Sequence, residues 1–313
     1  MARGARRWAG LLVAGIFALH ALASSAEDWT NGQGVLWKVE YGGRAPSHIL
    51  GTMHSADERV LDLPEAARAA FEAADTLALE LVLTTPEAGY RARAALLQGL
   101  VLTDGRTLDE IIGADWYEQV AVMLERNRVP RRVSRFITPS AAYQLMHIPK
   151  PKLDANGLPI APLDIRLELD AREAGKRVLP LEFLKEQTVL FESDDEETEV
   201  QLLLSLVKLA ERHGGLDRYF EALNELLVEL YEAGDIAAIL EVSYPPLPPE
   251  RRQKAAEAIN KLLFRRNARM VKRMNALLTN GNAFIAIGAG HLPGRKGVIN
   301  MLVQRGYKIS LVN

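Results

Sequence analysis

The sequence predicts an α/β fold: a central mixed sheet built from N- and C-terminal segments, with a large helical insertion between them. Three observations point to it. Short apolar runs bounded by glycines lie near both ends of the chain, the middle carries helical periodicity broken by prolines, and two of the apolar runs end in the same Gly-x-x-His pattern.

Taken in order, Val35–Tyr41 and Ser47–Thr52 are expected strands, and Gly42-Gly43 between them is a hairpin signal. Pro64–Ala74 is an expected helix with proline near its first turn. Thr76–Leu83 is an apolar strand with one charge, Glu80. Pro86–Ala174 is mostly helical, with breaks at Gly113, Pro130, Pro139 and Pro149–Pro162. Arg177–Leu181 is a short strand entered through Gly175. The acidic run Glu192–Glu199 is the solvated start of a helix that continues through Val200–Leu209, where negative charge suits the dipole. Tyr244–Pro249 breaks the helices, and Glu250–Leu278 is one long helix or a close pair. Ala283–Ile287 is a buried strand, Lys296–Arg305 a helix and Tyr307–Val312 a final strand.

The first 26 residues have a different character. Arg3, Arg6 and Arg7 precede the apolar run Leu11–Leu22, and Ala21-Leu22-Ala23 and Ser24-Ser25-Ala26 are small-x-small cleavage signals. This is the order of a cleavable export signal, too short and too interrupted by His20 for a membrane span. Ala5 and Trp8 beside Arg6-Arg7 argue against a twin-arginine signal. The chain is therefore expected to divide into a signal peptide, 1–26, and one domain, 27–313, working in the periplasm or secreted. No later stretch is apolar enough to span a membrane.

The 313 residues include no cysteine, which excludes disulfides, thiolate ligands and a cysteine nucleophile. A mature domain of this size buries enough surface to need no staple. The formal charge is −2 with the signs mixed, so nothing resembles a nucleic-acid-binding footprint.

The chemistry concentrates in four strand ends. Gly51-Thr52-Met53-His54 and Gly288-Ala289-Gly290-His291 each follow an apolar run, and in each the glycine is expected to let the backbone turn sharply. Thr76–Leu79 leads to Glu80, and Val178–Leu181 leads to Glu182. If the four strands run parallel, His54, His291, Glu80 and Glu182 gather at the carboxyl edge, where α/β sheets bind ligands. Two imidazoles with carboxylates suit a divalent cation. Each piece alone has a plainer explanation: a turn histidine, a Glu80–arginine ion pair, or Glu182 capping the next helix. The matched pair of turns tips the balance toward a site. His20 lies in the signal; His48, His147 and His213 are read as structural.

Gly51–His54, Leu77–Leu81 around Glu80, and Gly288–His291 together resemble the TraB/GumN family, which includes the Tiki proteases. Asp164 followed by Ala174–Glu182 is similar to the family's central segment, and Arg266-Asn267-Ala268-Arg269-Met270 resembles its Arg-Asn helix. The resemblance runs over most of the mature chain. It implies a metal site at His54, Glu80 and His291, with Glu80 as ligand or general base, and Arg266 and Asn267 as site-facing partners. The family commonly has glycine where this chain has Pro162, so Asp164 is either a helix N-cap or a site residue. The expected function is a metal-dependent hydrolase, foremost a peptidase using Mn, Zn or Co on a peptide or protein substrate. The rival is a non-catalytic binding protein for a peptide, polysaccharide-related or haem ligand, or an inactive scaffold on the same fold.

Overall fold

A computed structural model describes residues 30–84, 100–148, 150–183, 186, 195–243 and 249–312, with the side chains of 249–262 left aside. The predicted signal peptide, the start of the helical middle at 86–99 and the Pro-rich 244–248 lie outside the described residues.

Six strands form one mixed sheet: β1 Leu36–Glu40, β2 Ser47–Thr52, β3 Thr76–Leu79, β4 Arg177–Pro180, β5 Ala283–Gly288 and β6 Lys308–Leu311. Their order is β4-β3-β5-β2-β1-β6. β4, β3, β5 and β2 run parallel; β1 is antiparallel to β2 on one side and to β6 on the other. The first and last strands are thus partners, and β5 from near the end of the chain lies between β2 and β3 from its beginning. The condition that four strands run parallel is met. Gly42 and Gly43, with φ of +54° and +70°, carry the β1–β2 connection, a conformation that glycine adopts without penalty. β3 ends at Leu79, four residues sooner than the apolar run suggests, because Leu83 and Thr84 donate their amides to the buried carboxylate of Glu168 rather than to a strand.

Side chains alternate across the sheet as period two requires. Leu50, Leu77, Leu79, Phe284 and Ala286 enter one core, and Ile49, Ala78, Ile285 and Ile287 the other. The first face is covered by α1 (Glu58–Leu61), α2 (Glu65–Ala73), α7 (Leu163–Glu173), α9 (Leu216–Glu232) and α10 (Ile236–Val242). The second is covered by α11 (Pro249–Asn280) and α12 (Val298–Val303). α11 is one continuous helix, which decides between the single helix and the pair.

The insertion has its own core, drawn from α3 (Leu108–Ile112), α4 (Ala114–Glu125), α6 (Pro139–Met146) and α8 (Glu196–Arg212). Its punctuation follows the sequence: Gly113 separates α3 from α4, Pro130 caps α5 (Arg131–Ser134), and Pro139 opens α6 behind a Thr138 cap. Residues 192–194 of the acidic run lie outside the described residues; the rest of it begins α8, with Asp195 accepting the Thr198 amide and Glu196, Glu197 and Glu199 in the first turn.

Candidate active site

The parallel register aligns the four predicted strand ends. Thr52 lies opposite Gly288, and Leu79 opposite both Ala286 and Pro180, while the Glu182 amide donates to the Glu80 carbonyl. His54, Glu80 and His291 all line one cavity of about 550 Å³ at the carboxyl edge of the sheet, under the helical insertion. All three are buried, as are Glu182, Arg266 and Asn267.

The two glycines act differently from expectation. Neither Gly51 nor Gly288 adopts a positive φ; both serve close approach. A Cβ on Gly51 would fall 2.6 Å from Leu292 Cδ1 and 3.1 Å from Ala289 Cα, so the absence of a side chain lets the first turn pack on the second. A Cβ on Gly288 would sit 3.0 Å from Glu80 Oε1. That space is used: the Gly288 amide donates to Glu80 Oε1 at 2.6 Å.

Each histidine is held through Nδ1. Asp164 Oδ2 lies 3.0 Å from His54 Nδ1, and Thr52 donates its hydroxyl to Asp164 Oδ1 at 2.5 Å. Burial alone would raise the Asp164 pKa, but His54 and Thr52 outweigh it and lower the pKa below the ordinary value. An ionised carboxylate only accepts, so His54 Nδ1 is the donor. Asp164 therefore serves the site and does not cap its helix, whose N-cap is Pro162. For His291, Nδ1 lies 2.5 Å from Asn267 Oδ1, while Asn267 Nδ2 donates to the Lys296 carbonyl at 2.9 Å. With the amide group so assigned, Oδ1 accepts and His291 Nδ1 donates. Burial, with Arg266 adding, pushes His291 down to about 3, so its ring is neutral and its Nε2 holds the lone pair. A carboxylate or carbonyl behind Nδ1 is the arrangement that orients and strengthens metal-ligating imidazoles.

Arg266 bridges the two strand glutamates, with Nη2 2.6 Å from both Glu80 Oε2 and Glu182 Oε2, and Nε 2.8 Å from Glu182 Oε2. Burial disfavours its charge, but the attraction of Glu80 and Glu182 prevails and raises its pKa. This arginine is first of all the counter-charge that makes two buried carboxylates tolerable. It accounts for Glu182, which the sequence left between a cap and a ligand. Glu80 Oε1 faces His291 Nε2 at 3.5 Å.

The donor set fits a divalent cation in kind: two imidazoles anchored through Nδ1 and a carboxylate on one cavity. Among the described residues, however, no three His, Asp or Glu side chains are drawn together into a cage; Glu80 is engaged by Arg266 and the Gly288 amide. Tyr231, which no sequence feature flagged, donates its hydroxyl to the Gly51 carbonyl at 2.7 Å and braces the first turn from α9.

Residues 35–311 match the TraB/PrgY/gumN family. The chain belongs to that family. Among curated proteins it is similar to Metalloprotease TIKI2 of Xenopus tropicalis, with 28% identity over 92% of this chain and 61% of that protein. It is also similar to Metalloprotease TIKI1 of Homo sapiens, 26% identical over 88% and 61%, and to the Metalloprotease TIKI homolog of Amphimedon queenslandica, 24% identical over 88% and 61%. The chain spans about three-fifths of the length of these relatives. No solved structure matches it.

Proposed function

We propose that this family member is an exported, metal-dependent hydrolase, most specifically a peptidase, acting in the periplasm or as a secreted protein. The observation that carries the reading is the symmetry of the two turns. His54 and His291 leave neighbouring parallel strands, each is pinned through Nδ1, and each lines the same cavity beside Glu80. The relatives named as metalloproteases support the same reading. No helix among the described residues is long and apolar enough to cross a bilayer.

In this reading His54 and His291 would hold a divalent cation of the Mn, Zn or Co type. A cation so held supplies Lewis-acid polarisation of the scissile carbonyl and lowers the pKa of a water. Glu80 Oε1, steadied by the Gly288 amide, is the ligand or the group that takes the proton from the attacking water. Arg266 fixes the other oxygen of Glu80 and balances its charge. Asp164 and Asn267 hold the two rings in the required tautomer.

The test is metal content. Purified protein and the variants His54→Ala, His291→Ala and the double variant are equilibrated with Mn, Zn and Co, and bound metal and thermal midpoint are measured. Ligands of one ion act as a unit, so each single variant is expected to lose nearly all bound metal and the double variant no more. His213→Ala keeps it. Single variants that retain full metal, with stability losses that add in the double variant, overturn the shared site.

A further inference from the structure

We infer that the cavity beside the two histidines is an apolar side-chain subsite, so that the substrates are peptides carrying a bulky, uncharged residue beside the bond to be cut. This rests on the peptidase reading and gives it a substrate class.

The wall begins at the site itself. A Cβ on Gly290 would lie 3.2 Å from Leu240 Cδ2, so the bare glycine lets Leu240 of α10 pack directly on the turn that carries His291. From there the lining continues through Leu223 and Leu227 of α9, Ile239 of α10 and Leu263 of α11. Leu223 and Ile239 pack on the sheet's first core while lining the cavity, and both are only partly buried. Apolar surface is thus left facing the space where a substrate side chain would lie.

Apart from Glu221, the charges around this space are spent on one another. Lys150 Nζ lies 2.5 Å from Asp217 Oδ2, and Arg126 is paired with the same carboxylate. Lys152 Nζ lies 2.6 Å from Asp57 Oδ2. Arg266 serves Glu80 and Glu182, and Asp164 serves Thr52 and His54. Glu221 is exposed. A charged side chain entering along Leu223, Ile239 and Leu240 would shed its water against groups that cannot replace it. An apolar one replaces water on both surfaces. A volume of about 550 Å³ accommodates a leucine or phenylalanine with its flanking backbone.

The experiment uses the purified full chain and four probes, acetyl-Gly-Gly-X-Gly-Gly-amide with X = Leu, Phe, Lys or Glu. Binding is read by calorimetry on the protein as purified, and cleavage by mass spectrometry after loading with Mn, Zn or Co. The Leu and Phe peptides are expected to bind roughly tenfold or more tightly than the Lys and Glu peptides. Ile239→Glu and, on a separate helix, Leu223→Glu should erase that preference and favour the Lys peptide, with thermal midpoints confirming that both fold. Equal or tighter binding of charged peptides, no binding of any probe, or unchanged preference in both folded variants overturns the subsite. Preferential binding of Leu and Phe without cleavage under any metal leaves the subsite standing and removes the hydrolase reading. Cleavage with a preference for charged residues does the reverse.

Discussion

Arg266 offers the sharpest test of the site's electrostatics. Its guanidinium is 2% exposed and spans two carboxylates from different strands at 2.6 Å. Replacing it with methionine keeps most of the volume, removes the counter-charge from Glu80, and leaves Glu182 with the looser Arg269 pair at 3.5 Å. Breaking a buried pair by removing one partner costs about 3–5 kcal/mol. At roughly 2–4 °C per kcal/mol for a chain of this class, the thermal midpoint of Arg266→Met should fall on the order of 10 °C. Arg265 is exposed on the same helix, so Arg265→Met should stay within about 0.5 kcal/mol of wild type. Adding Glu182→Gln to Arg266→Met removes one of the stranded charges and should recover part of the loss, a coupling between neighbours that independent effects would not show. Urea denaturation and thermal melts of the four proteins measure all of this. An Arg266→Met variant within about 1 kcal/mol of wild type, or a Glu182→Gln addition that only makes matters worse, would refute the claim that the arginine is the counter-charge of both glutamates.

Four further outcomes follow from the same geometry. Asp164→Asn can no longer accept from both Thr52 and His54 without turning its amide toward one of them, so metal affinity by chelator competition should fall about 10–100-fold; unchanged affinity removes Asp164 from the site. Gly51→Ala forces a Cβ against Leu292 and Ala289 and should cost about 1–3 kcal/mol by denaturant melt, and a neutral result means that the two turns are not in contact. Burial pushes His147, whose Nδ1 donates to the Tyr143 carbonyl, down to about 4. Between about 4 and 6.5 the unfolded chain carries a proton that the folded one refuses, so stability declines as pH falls through that window, by about 1.4 kcal/mol per unit for such a group; His147→Gln should flatten the slope, and identical slopes would refute the assignment. Protein recovered from the envelope or medium should begin at Ser24 or Glu27, and an intact Met1 would refute cleavage.

The chain announces its strands and its paired motifs because both are local. Alternation in Leu77–Leu79 and Phe284–Ile287, and glycine before a histidine at matched spacing, are read from neighbours in sequence, and the parallel register then converts them into one edge of a sheet. Contacts that join distant segments are less visible. Asp164 could not be told from a helix cap until Pro162 took the cap and left its carboxylate to His54, 110 residues away. Glu182 had no assigned partner because that partner, Arg266, lies 84 residues on. The roles of Gly51 and Gly288 were misread in kind: glycine suggests a strained turn, whereas the backbone there is ordinary and what matters is the atom that would meet a Cβ. Tyr231 carried no signal at all, since a tyrosine on an amphipathic helix is usually core, and only the fold aims its hydroxyl at Gly51.

These contacts divide the work between two parts of the chain. The sheet positions the polar cluster: both histidines, Glu80 and Glu182 follow strands whose backbone pairing is flanked by two hydrophobic cores. The helices supply what surrounds those groups. Asp164 from α7 orients one ring, Arg266 and Asn267 from α11 balance the charge and orient the other, and α9 and α10 lay down the apolar wall. Leu223 and Ile239 lie on helices that cover the sheet's first face and hold none of these polar contacts, so substitutions there alter the cavity wall while the polar cluster keeps its partners. Substitutions on the sheet cannot be so selective, because Gly51, Thr52, Glu80 and Gly288 each hold both a packing contact and a polar one.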